Sequence, residues 1–221
     1  MNAPADFNRL ARIYHALEWL AFGRDLGRAR FCLLDRLAGC RSILVLGEGD
    51  GRVLARLVAV APAARIHCFD ASPAMLARAR ARLAPADAAR VTFTCGDART
   101  AGFPPGAHDA VVTLFFLDCF AAAEVAALVS RIRAALQPGA CWLFADFALP
   151  SRGFRRWRAR IWLAGLYAFF RWETGLQARA LPPAEASIRA AGFSPEAEEE
   201  RQLGLLRTVL FRSGTRDAGG G

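Results

Sequence analysis

The sequence contains no lysine, so all 29 of its basic side chains are arginine. Against 20 acidic residues they give a formal net charge of +9 and a pI near 10.4. The arginines are spread along the chain rather than gathered in one tract, and alanine is abundant. Coding bias produces this pattern as readily as selection for polyanion binding does. The charge alone therefore does not predict a nucleic-acid-binding protein.

Long apolar runs and metal-binding patterns are also missing. The best apolar stretch, Ile161 to Phe170, is about half of the roughly 18–20 residues that a membrane span needs. The N-terminus has no basic region leading into an apolar one, as a secretory signal would. The six cysteines form no C-x-x-C pair and have no histidine at zinc spacing. We predict no metal site and a reduced, cytoplasmic setting.

Alternate glycines interrupt the first strongly apolar stretch of the chain. Ile43 to Leu46 is followed by Gly47, Gly49 and Gly51, and then by a helical pattern. This predicts a buried parallel strand, a tight turn and a helix that begins near Gly51. Glycine adopts positive φ without steric cost and lets a ligand lie directly on the backbone. The helix N-terminus behind the turn presents free N–H groups to that ligand.

The spacing of these glycines separates two kinds of ligand. A dinucleotide fingerprint needs a small residue at the position that Arg52 occupies. What remains is G-x-G-x-G, the spacing of the S-adenosylmethionine (SAM) loop in class I methyltransferases. Alternate glycines also occur in plain turns, so the spacing leaves a purely structural turn as the alternative.

Acidic residues follow the next two predicted strands. Asp70 ends the strand that begins at Arg65, about twenty residues past the glycine turn, where a carboxylate can bind both hydroxyls of a ribose. The alternative is that Asp70 only helps to start the next helix, a role for which Ser72 is already suited as N-cap. Asp97 follows the strand over 90–95 at the same edge, where it or its backbone can bond an adenine amino group.

The fourth strand, over 108–115, is continuously apolar and predicts a central position in the sheet. Asp118 lies just beyond it among Phe and Leu residues, where an unpaired buried charge would be costly. With a raised pKa it could take a proton from an acceptor hydroxyl or an activated carbon. A structural role as N-cap of the helix that begins near Ala121 is the equal alternative.

Two regions outside these strands carry aromatic and basic residues. Residues 6–38 predict two helices across the ligand-binding edge, which would make Tyr14 and His15 candidate site residues; otherwise they are core and surface. The segment 151–181 mixes arginines with aromatic side chains. It suits core packing, a lid over an apolar substrate, or peripheral membrane contact through 154–172.

The order of elements predicts the fold class. Five strands alternate with helices and a terminal strand pair follows, which is typical of an α/β, Rossmann-like, doubly wound sheet of seven strands. We expect an N-terminal helical cap over 1–40, a cofactor-binding domain over 41–212 that includes the insertion 151–181, and a tail over 213–221.

From about Arg41 to Phe147 the chain resembles the core of a class I SAM-dependent methyltransferase. It is most similar to the small-molecule branch that includes the ubiquinone/menaquinone C-methyltransferases. The resemblance rests on motifs that occur in the family's order: Leu46 to Gly51, Phe69 to Ser72, Gly96 to Ala98, His108-Asp109 leading to Phe115, and Leu136 to Ala140.

This resemblance implies SAM as the cofactor, with its methionine on Gly47 to Gly51, its ribose on Asp70 and its adenine near Asp97. Two departures qualify the resemblance. Val45 stands where the family often has an acid, so Glu48 or Asp50 would contact the methionine amino group. The further residues that the resemblance implies at the cofactor are Ala71, Ser72, Ala98, Leu114 and Phe115.

The second departure lies after strand four. The Asn-Pro-Pro-Tyr tetrad of DNA and protein amino-group methyltransferases is replaced there by 117–120, Leu-Asp-Cys-Phe, which disfavours nucleic acid as the substrate. The sequence therefore predicts in-line methyl transfer to a small, apolar or aromatic acceptor, and it predicts no particular oligomeric state. Its alternatives are an RNA or polyanion methyltransferase and a SAM-binding protein without turnover.

Overall fold

The computed structural model describes residues 24–150, 153–154, 156–161 and 181–214. Their strands form one seven-stranded sheet in the order β3-β2-β1-β4-β5-β7-β6. Strands β1 to β5 are parallel, and β7 runs antiparallel to both β5 and β6. The predicted doubly wound seven-stranded α/β sheet is confirmed. The strands are β1 (Ser42–Leu46), β2 (Arg65–Asp70), β3 (Val91–Cys95), β4 (His108–Leu114), β5 (Leu136–Phe147), β6 (Phe193–Arg201) and β7 (Leu206–Ser213).

Helices cover both faces of the sheet. They are α1 (Asp25–Phe31), α2 (Arg52–Val60), α3 (Pro73–Ala81), α4 (Pro85–Ala88), α5 (Ala122–Ala135) and α6 (Ala184–Ala190), with 3₁₀ turns at Leu34–Leu37, Leu117–Cys119 and Gln202–Gly204. Local chemistry starts two of the helices. The Ser72 hydroxyl accepts a hydrogen bond from the Met75 N–H at the start of α3, and Pro73 fills the first helical position. The Glu124 carboxylate accepts the Ala121 N–H at the start of α5.

The core lies on both sides of the central strands, which is why these strands are apolar throughout. On one face, Ile43, Val45 and Leu143 pack beneath α2, α3 and the 3₁₀ turn at 34–37. On the other, the side chains of Leu44 and Trp142 pack beneath α5 and α6. The buried indole N–H of Trp142 donates to the Thr113 hydroxyl at 2.8 Å, so its polar atom is satisfied.

Three expectations for local structure need correction or fall outside the described residues. The second N-terminal helix, expected to carry Phe31, Leu34 and Leu37 on one stripe, ends at Phe31, and Leu34–Leu37 form a separate 3₁₀ turn packed beside α2. The first expected helix lies outside the described residues. The Pro-Gly pair at 138–139 predicts the end of α5 near Leu136 and a fifth strand that begins at Ala140. The helix ends at Ala135, but β5 already begins at Leu136, so the pair lies within β5 at an irregularity in its pairing with β4.

The last residues of the described chain extend the sheet. Ser213, placed in the tail by the sequence, is the buried final residue of β7. Of the insertion, residues 153–154 and 156–161 are helical, and 162–180 lie outside the described residues. Within the part of the chain that the structure describes, no helix has the length and apolar character to cross a bilayer.

Candidate active site

The glycine turn lies at the carboxyl end of β1, as predicted, and leads directly into α2. Gly47, Gly49 and Gly51 all have positive φ, at 69°, 69° and 86°. A side chain on Gly51 would overlap the backbone of Ala79 in α3, so this glycine lets α2 and α3 pack closely. Around Gly49 there is open space with no atom within 4 Å of an added Cβ. The turn thus leaves bare backbone facing the edge of the sheet, which is the arrangement that a close-lying ligand requires.

Asp70 connects this turn to the end of β2. Its Oδ2 accepts the Gly49 N–H at 3.3 Å and its Oδ1 accepts the Ser72 N–H at 2.8 Å. Burial raises the pKa of this carboxyl above its ordinary value, and the backbone hydrogen bonds oppose that rise. Ser72 caps α3, and Asp70 holds the glycine turn in place beside it. Both oxygens retain lone pairs for a further hydrogen-bond donor at the same edge.

The two acids inside the turn have different surroundings. Asp50 forms ion pairs with Arg52 at 2.8 Å and with Arg82 at 3.2 Å. Glu48 folds back so that its Oε1 accepts the Leu54 N–H at 2.9 Å, and burial raises its pKa to about 8. The charge of Asp50 is balanced by two guanidinium groups. Glu48 is therefore the better placed of the two to bind a cationic ligand group. Val45 itself is buried in β1.

Asp97, just beyond the end of β3, differs from Asp70 in its exposure and in its hydrogen-bond partners. Asp97 is exposed, and both its oxygens lie 3.0 Å from Nε of Arg99. This hydrogen bond lowers the pKa of Asp97. The neighbouring Ala98 is buried in the cluster that contains Phe69. The structure places Asp97 at the predicted edge but pairs its side chain with Arg99, which leaves the surrounding backbone as the nearer surface for an adenine.

The end of β4 approaches the glycine turn from the other side. Beyond Leu114, the last residue of β4, Phe115 has a φ of +55°, which is strained for a residue with a side chain. Its ring packs edge-on against Phe147 with 5.3 Å between ring centroids, beneath the guanidinium of Arg30. The next residue, Phe116, lies directly on Gly47, so any side chain at position 47 would overlap its ring.

Asp118 lies against a second carboxylate that the sequence analysis did not single out. The Asp118 N–H donates to Oδ2 of Asp146 at 3.1 Å, and the Phe147 N–H donates to Oδ1 at 2.9 Å. Asp146 is only 2% exposed. Burial raises its pKa well above the ordinary value, and the nearby charge of Asp118 adds to the rise. A carboxyl group inside an otherwise apolar strand end was the sequence signal for this residue.

A cavity of about 560 Å³ opens beside Asp146, between the ends of β5 and β7 and the start of α6. Its volume is in the range of small-molecule sites. Its apolar walls include Phe144, Phe147, Leu149, Leu181 and Leu203, and its charged lining residues are Asp146, Glu185, Glu200 and Arg207.

A strained turn forms one side of this cavity. Gln202 and Leu203 have positive φ, at 55° and 60°, and Gly204 continues the left-handed run at 87°. The turn is held from outside: Arg158 donates to the Gln202 carbonyl at 2.7 Å, and the Gln202 amide donates to Asp25 at 2.8 Å. Backbone strain of this kind persists only where the surrounding structure enforces it, and it is often found beside ligand sites.

The structure describes part of the insertion after β5 but not the N-terminal candidate residues. Tyr14 and His15 lie outside the described residues, so their place at the site stays a prediction. In the described part of the insertion, Phe154, Trp157 and Ile161 are exposed at 69%, 60% and 53%.

A family model described as a methyltransferase domain matches residues 43–139. A demethylmenaquinone methyltransferase of Thermus thermophilus is 33% identical over 207 residues, which cover 87% of this chain and 93% of that protein.

Solved structures share the fold at lower identity. A SAM-dependent methyltransferase from Mesorhizobium loti superposes with a TM-score of 0.61 at 20% identity, over 83% of this chain and 97% of that one. Human N-acetylserotonin methyltransferase, solved in complex with SAM, superposes with a TM-score of 0.58 at 20% identity, over 89% of this chain and 53% of that one.

Proposed function

Because the chain belongs to the class I SAM-dependent methyltransferases, we propose that it methylates a small, apolar or aromatic acceptor at the carboxyl ends of β4 and β5. The carboxyl group of Asp146 carries this proposal, since it accepts the Asp118 N–H and lines an apolar-walled cavity at the edge of the sheet where the glycine turn also lies. The Thermus thermophilus relative, named for demethylmenaquinone, supports an acceptor of this kind.

The described residues fit SAM along the edge that runs from β4 to β3. The open backbone at Gly49 suits the methionine portion, with its amino group on Glu48. Asp70 suits the ribose hydroxyls, flanked by Ala71 and Ser72. The backbone around Asp97 and Ala98 suits the adenine, and Leu114 and Phe115 lie between the glycine turn and the acceptor side. When bound, SAM supplies an electrophilic methyl group on a sulfonium.

The residues of this chain would contribute position and a proton acceptor. Holding reacting groups in line in a dry site can remove roughly 7–11 kcal/mol of barrier in well-oriented systems. Phe144 and Phe147 supply an apolar wall that keeps water from the acceptor. Asp118 is the proposed base: it lies at the end of β4 and would take the proton that an acceptor hydroxyl loses as its oxygen or ring carbon gains the methyl group.

Calorimetric titration with SAM and S-adenosylhomocysteine (SAH), for wild type and Asp70→Ala, tests the cofactor part of this proposal. We expect wild type to bind both ligands and Asp70→Ala, with an unchanged circular dichroism spectrum, to lose at least about tenfold in affinity, the effect of one charged hydrogen bond. Asp97→Ala is the matched control and should change affinity little, because its carboxylate is paired with Arg99.

Transfer of labelled methyl groups to reduced naphthoquinones and to phenols tests the acceptor part. Methylation of one of these classes but not of RNA supports the proposal. Transfer to RNA that weakens steeply with salt would replace it by a polyanion methyltransferase. Cofactor binding without transfer to any acceptor would leave a SAM-binding protein without turnover.

We further propose peripheral membrane contact through the region 154–172. Its described part exposes Phe154, Trp157 and Ile161, three or four residues apart along the helix, with Arg156 and Arg160 beside them. Aromatic and basic residues on one helix face suit the surface of an anionic bilayer. The helix also contacts one side of the cavity, since Arg158 donates to the Gln202 carbonyl in the turn at 202–204.

A further inference from the structure

We propose that the cavity beside Asp146 holds the methyl acceptor and that carboxylates gathered around Arg207 close it to anionic acceptors. This inference rests on the proposed function and narrows it to neutral or cationic molecules with an apolar body. It depends on the contacts of one arginine, on the register of three strands that bring those contacts together, and on the charges that remain along the cavity wall.

Among the described residues that line the cavity, Arg207 is the cation at which an anionic ligand would bind, and three carboxylates already surround its guanidinium. Its Nη1 donates to Glu200 at 2.6 Å and its Nη2 donates to Glu198 at 2.7 Å. Its buried Nε lies 2.8 Å from Glu185 without a hydrogen bond of good geometry. An incoming phosphate or carboxylate would have to displace one of these partners.

Strand register assembles this group from distant parts of the chain. Asp146 of β5 pairs directly with Arg207 of β7, which pairs directly with Glu200 of β6. Because side chains at paired positions share a face of the sheet, these three form a row across it. Glu198 is two residues before Glu200 and so shares that face, while Glu185 reaches the same guanidinium from the first turn of α6.

The charges that line the cavity are predominantly negative. Among the described residues, its walls carry Asp146, Glu185 and Glu200 against Arg207. Arg189, which bridges Glu185 at 2.8 Å and Glu198 at 3.5 Å, adds a second cation behind the carboxylates rather than in the wall. Even with Asp146 neutral, the charged groups of the described wall residues, Glu185, Glu200 and Arg207, sum to an excess of one negative charge. A buried anion without a charge partner is strongly disfavoured.

The net charge of the described cavity wall is therefore negative, whereas the net charge of the whole chain is positive. A formal net charge of +9 attracts polyanions to the surface of the protein in general. An acidic, apolar-walled cavity would exclude anionic groups from the place where the methyl group is transferred. A neutral hydroxyl-bearing aromatic molecule satisfies both the apolar walls and the hydrogen-bonding capacity of Asp146.

Three probes that share one ring system and differ in charge test the inference: 2-naphthol, 2-naphthoate and 2-naphthylmethylammonium. Each is titrated calorimetrically into the full-length protein at neutral pH, with and without SAH. We expect the neutral and cationic probes to bind at least about tenfold more tightly than the anion, the size of one partly buried charge contact.

Removing carboxylates should weaken or abolish this preference for the neutral and cationic probes. Glu185→Gln combined with Glu200→Gln leaves Arg207 with Glu198 alone and should raise the affinity for 2-naphthoate by roughly tenfold. The single Glu200→Gln changes a side chain that is 55% exposed, so it serves as the test if the double variant does not fold. It should also raise the affinity for 2-naphthoate, by a smaller factor. Glu196→Gln is the matched control: it removes the same charge from the same strand, but its partner is Arg212.

The outcomes separate this inference from the proposed function. Failure of SAH to bind contradicts the proposed cofactor site, whereas the charge preference among the probes is measured without SAH as well. Binding of 2-naphthoate as tight as 2-naphthol, absence of binding by all three probes, or equal effects of Glu196→Gln and the Glu185/Glu200 variants would overturn the acidic acceptor site.

Discussion

The two ends of the ligand-binding edge are built by different means. At the proposed cofactor end, backbone N–H groups of the glycine turn and of the start of α3 donate to the side chains of Asp70 and Ser72, which are 2, 3 and 21 residues away. At the proposed acceptor end, Asp146 and Arg207 owe their positions to the pairing of β5 with β7, strands that are far apart in sequence. Contacts between residues that are near in sequence are visible as a motif. Contacts that depend on strand register join residues whose relation is not visible in the sequence.

The largest expected effect is on the stability of the cofactor end. Gly51→Ala places a methyl group against the backbone of Ala79 as well as a side chain at positive φ, and we expect about 2–5 kcal/mol loss in the free energy of unfolding. Gly49→Ala shares the positive φ but has open space, so about 1–2 kcal/mol is expected. Urea unfolding of both variants measures the difference. Equal losses would show that the contact with Ala79 costs nothing.

The second-largest expected effect is on turnover, and it tests whether the proposed acceptor end acts separately from the cofactor end. Asp146→Asn keeps the size of the side chain but replaces the carboxyl group that accepts the Asp118 N–H. We expect turnover to fall by roughly 10–100-fold, since proton transfer and position both depend on this pair. The affinity for SAH should stay within about twofold of wild type. A comparable loss of SAH affinity would mean that the two ends are not separate.

These contacts explain why the sequence predicts more of the residues at the cofactor end than at the proposed acceptor end. The glycine spacing, the acid at the end of β2 and the Ser72 cap are local, and the sequence predicted their positions. Asp118 was predicted as a site residue, but its partner Asp146 was not, because nothing in the sequence pairs the end of β5 with the loop after β4. The same holds for Arg207 and its three glutamates, because Glu198 and Glu200 belong to the exposed, charged pattern of β6, which is typical of a solvated surface.

A smaller effect concerns the pH dependence of cofactor binding. The fold raises the pKa of Glu48 to about 8, so the protonated form predominates at neutral pH. If ionised Glu48 binds the amino group of SAM, affinity should rise with pH up to about 8, by at most about tenfold per unit. Glu48→Gln should flatten this dependence. Asp50→Asn, at a residue already paired with two arginines, should leave it intact.

The same group also affects stability. Because the folded-state pKa of Glu48 is raised, its contribution to the free energy of unfolding is fully present below the unfolded value near 4.5 and is lost as pH rises through about 8. Urea unfolding between pH 5 and 9 should show this decline in wild type and a smaller one in Glu48→Gln. An identical decline in both proteins would assign it to other groups.

The smallest expected effect concerns the exposed residues of the helix at 156–161. Trp157→Ala removes an exposed ring and should leave stability within about 0.5 kcal/mol of wild type. Binding to vesicles that contain anionic phospholipid should weaken by a few fold, roughly 1 kcal/mol. Vesicles of neutral phosphatidylcholine are the control. No binding of wild type to either vesicle would contradict the proposed membrane contact.

The ring of Phe116 on Gly47 has a consequence for how the protein acquires its shape. The glycine turn can be written as a short motif, but a residue beyond β4 completes its surface. The turn cannot reach its final form until the chain has been made through β4 and that strand has paired with β1. A fragment that ends at Ala98 would contain the glycine turn, Asp70 and the segment 96–98 and still lack the assembled pocket. During synthesis, competence to bind the cofactor would therefore arise late, after the second half of the sheet has begun to form.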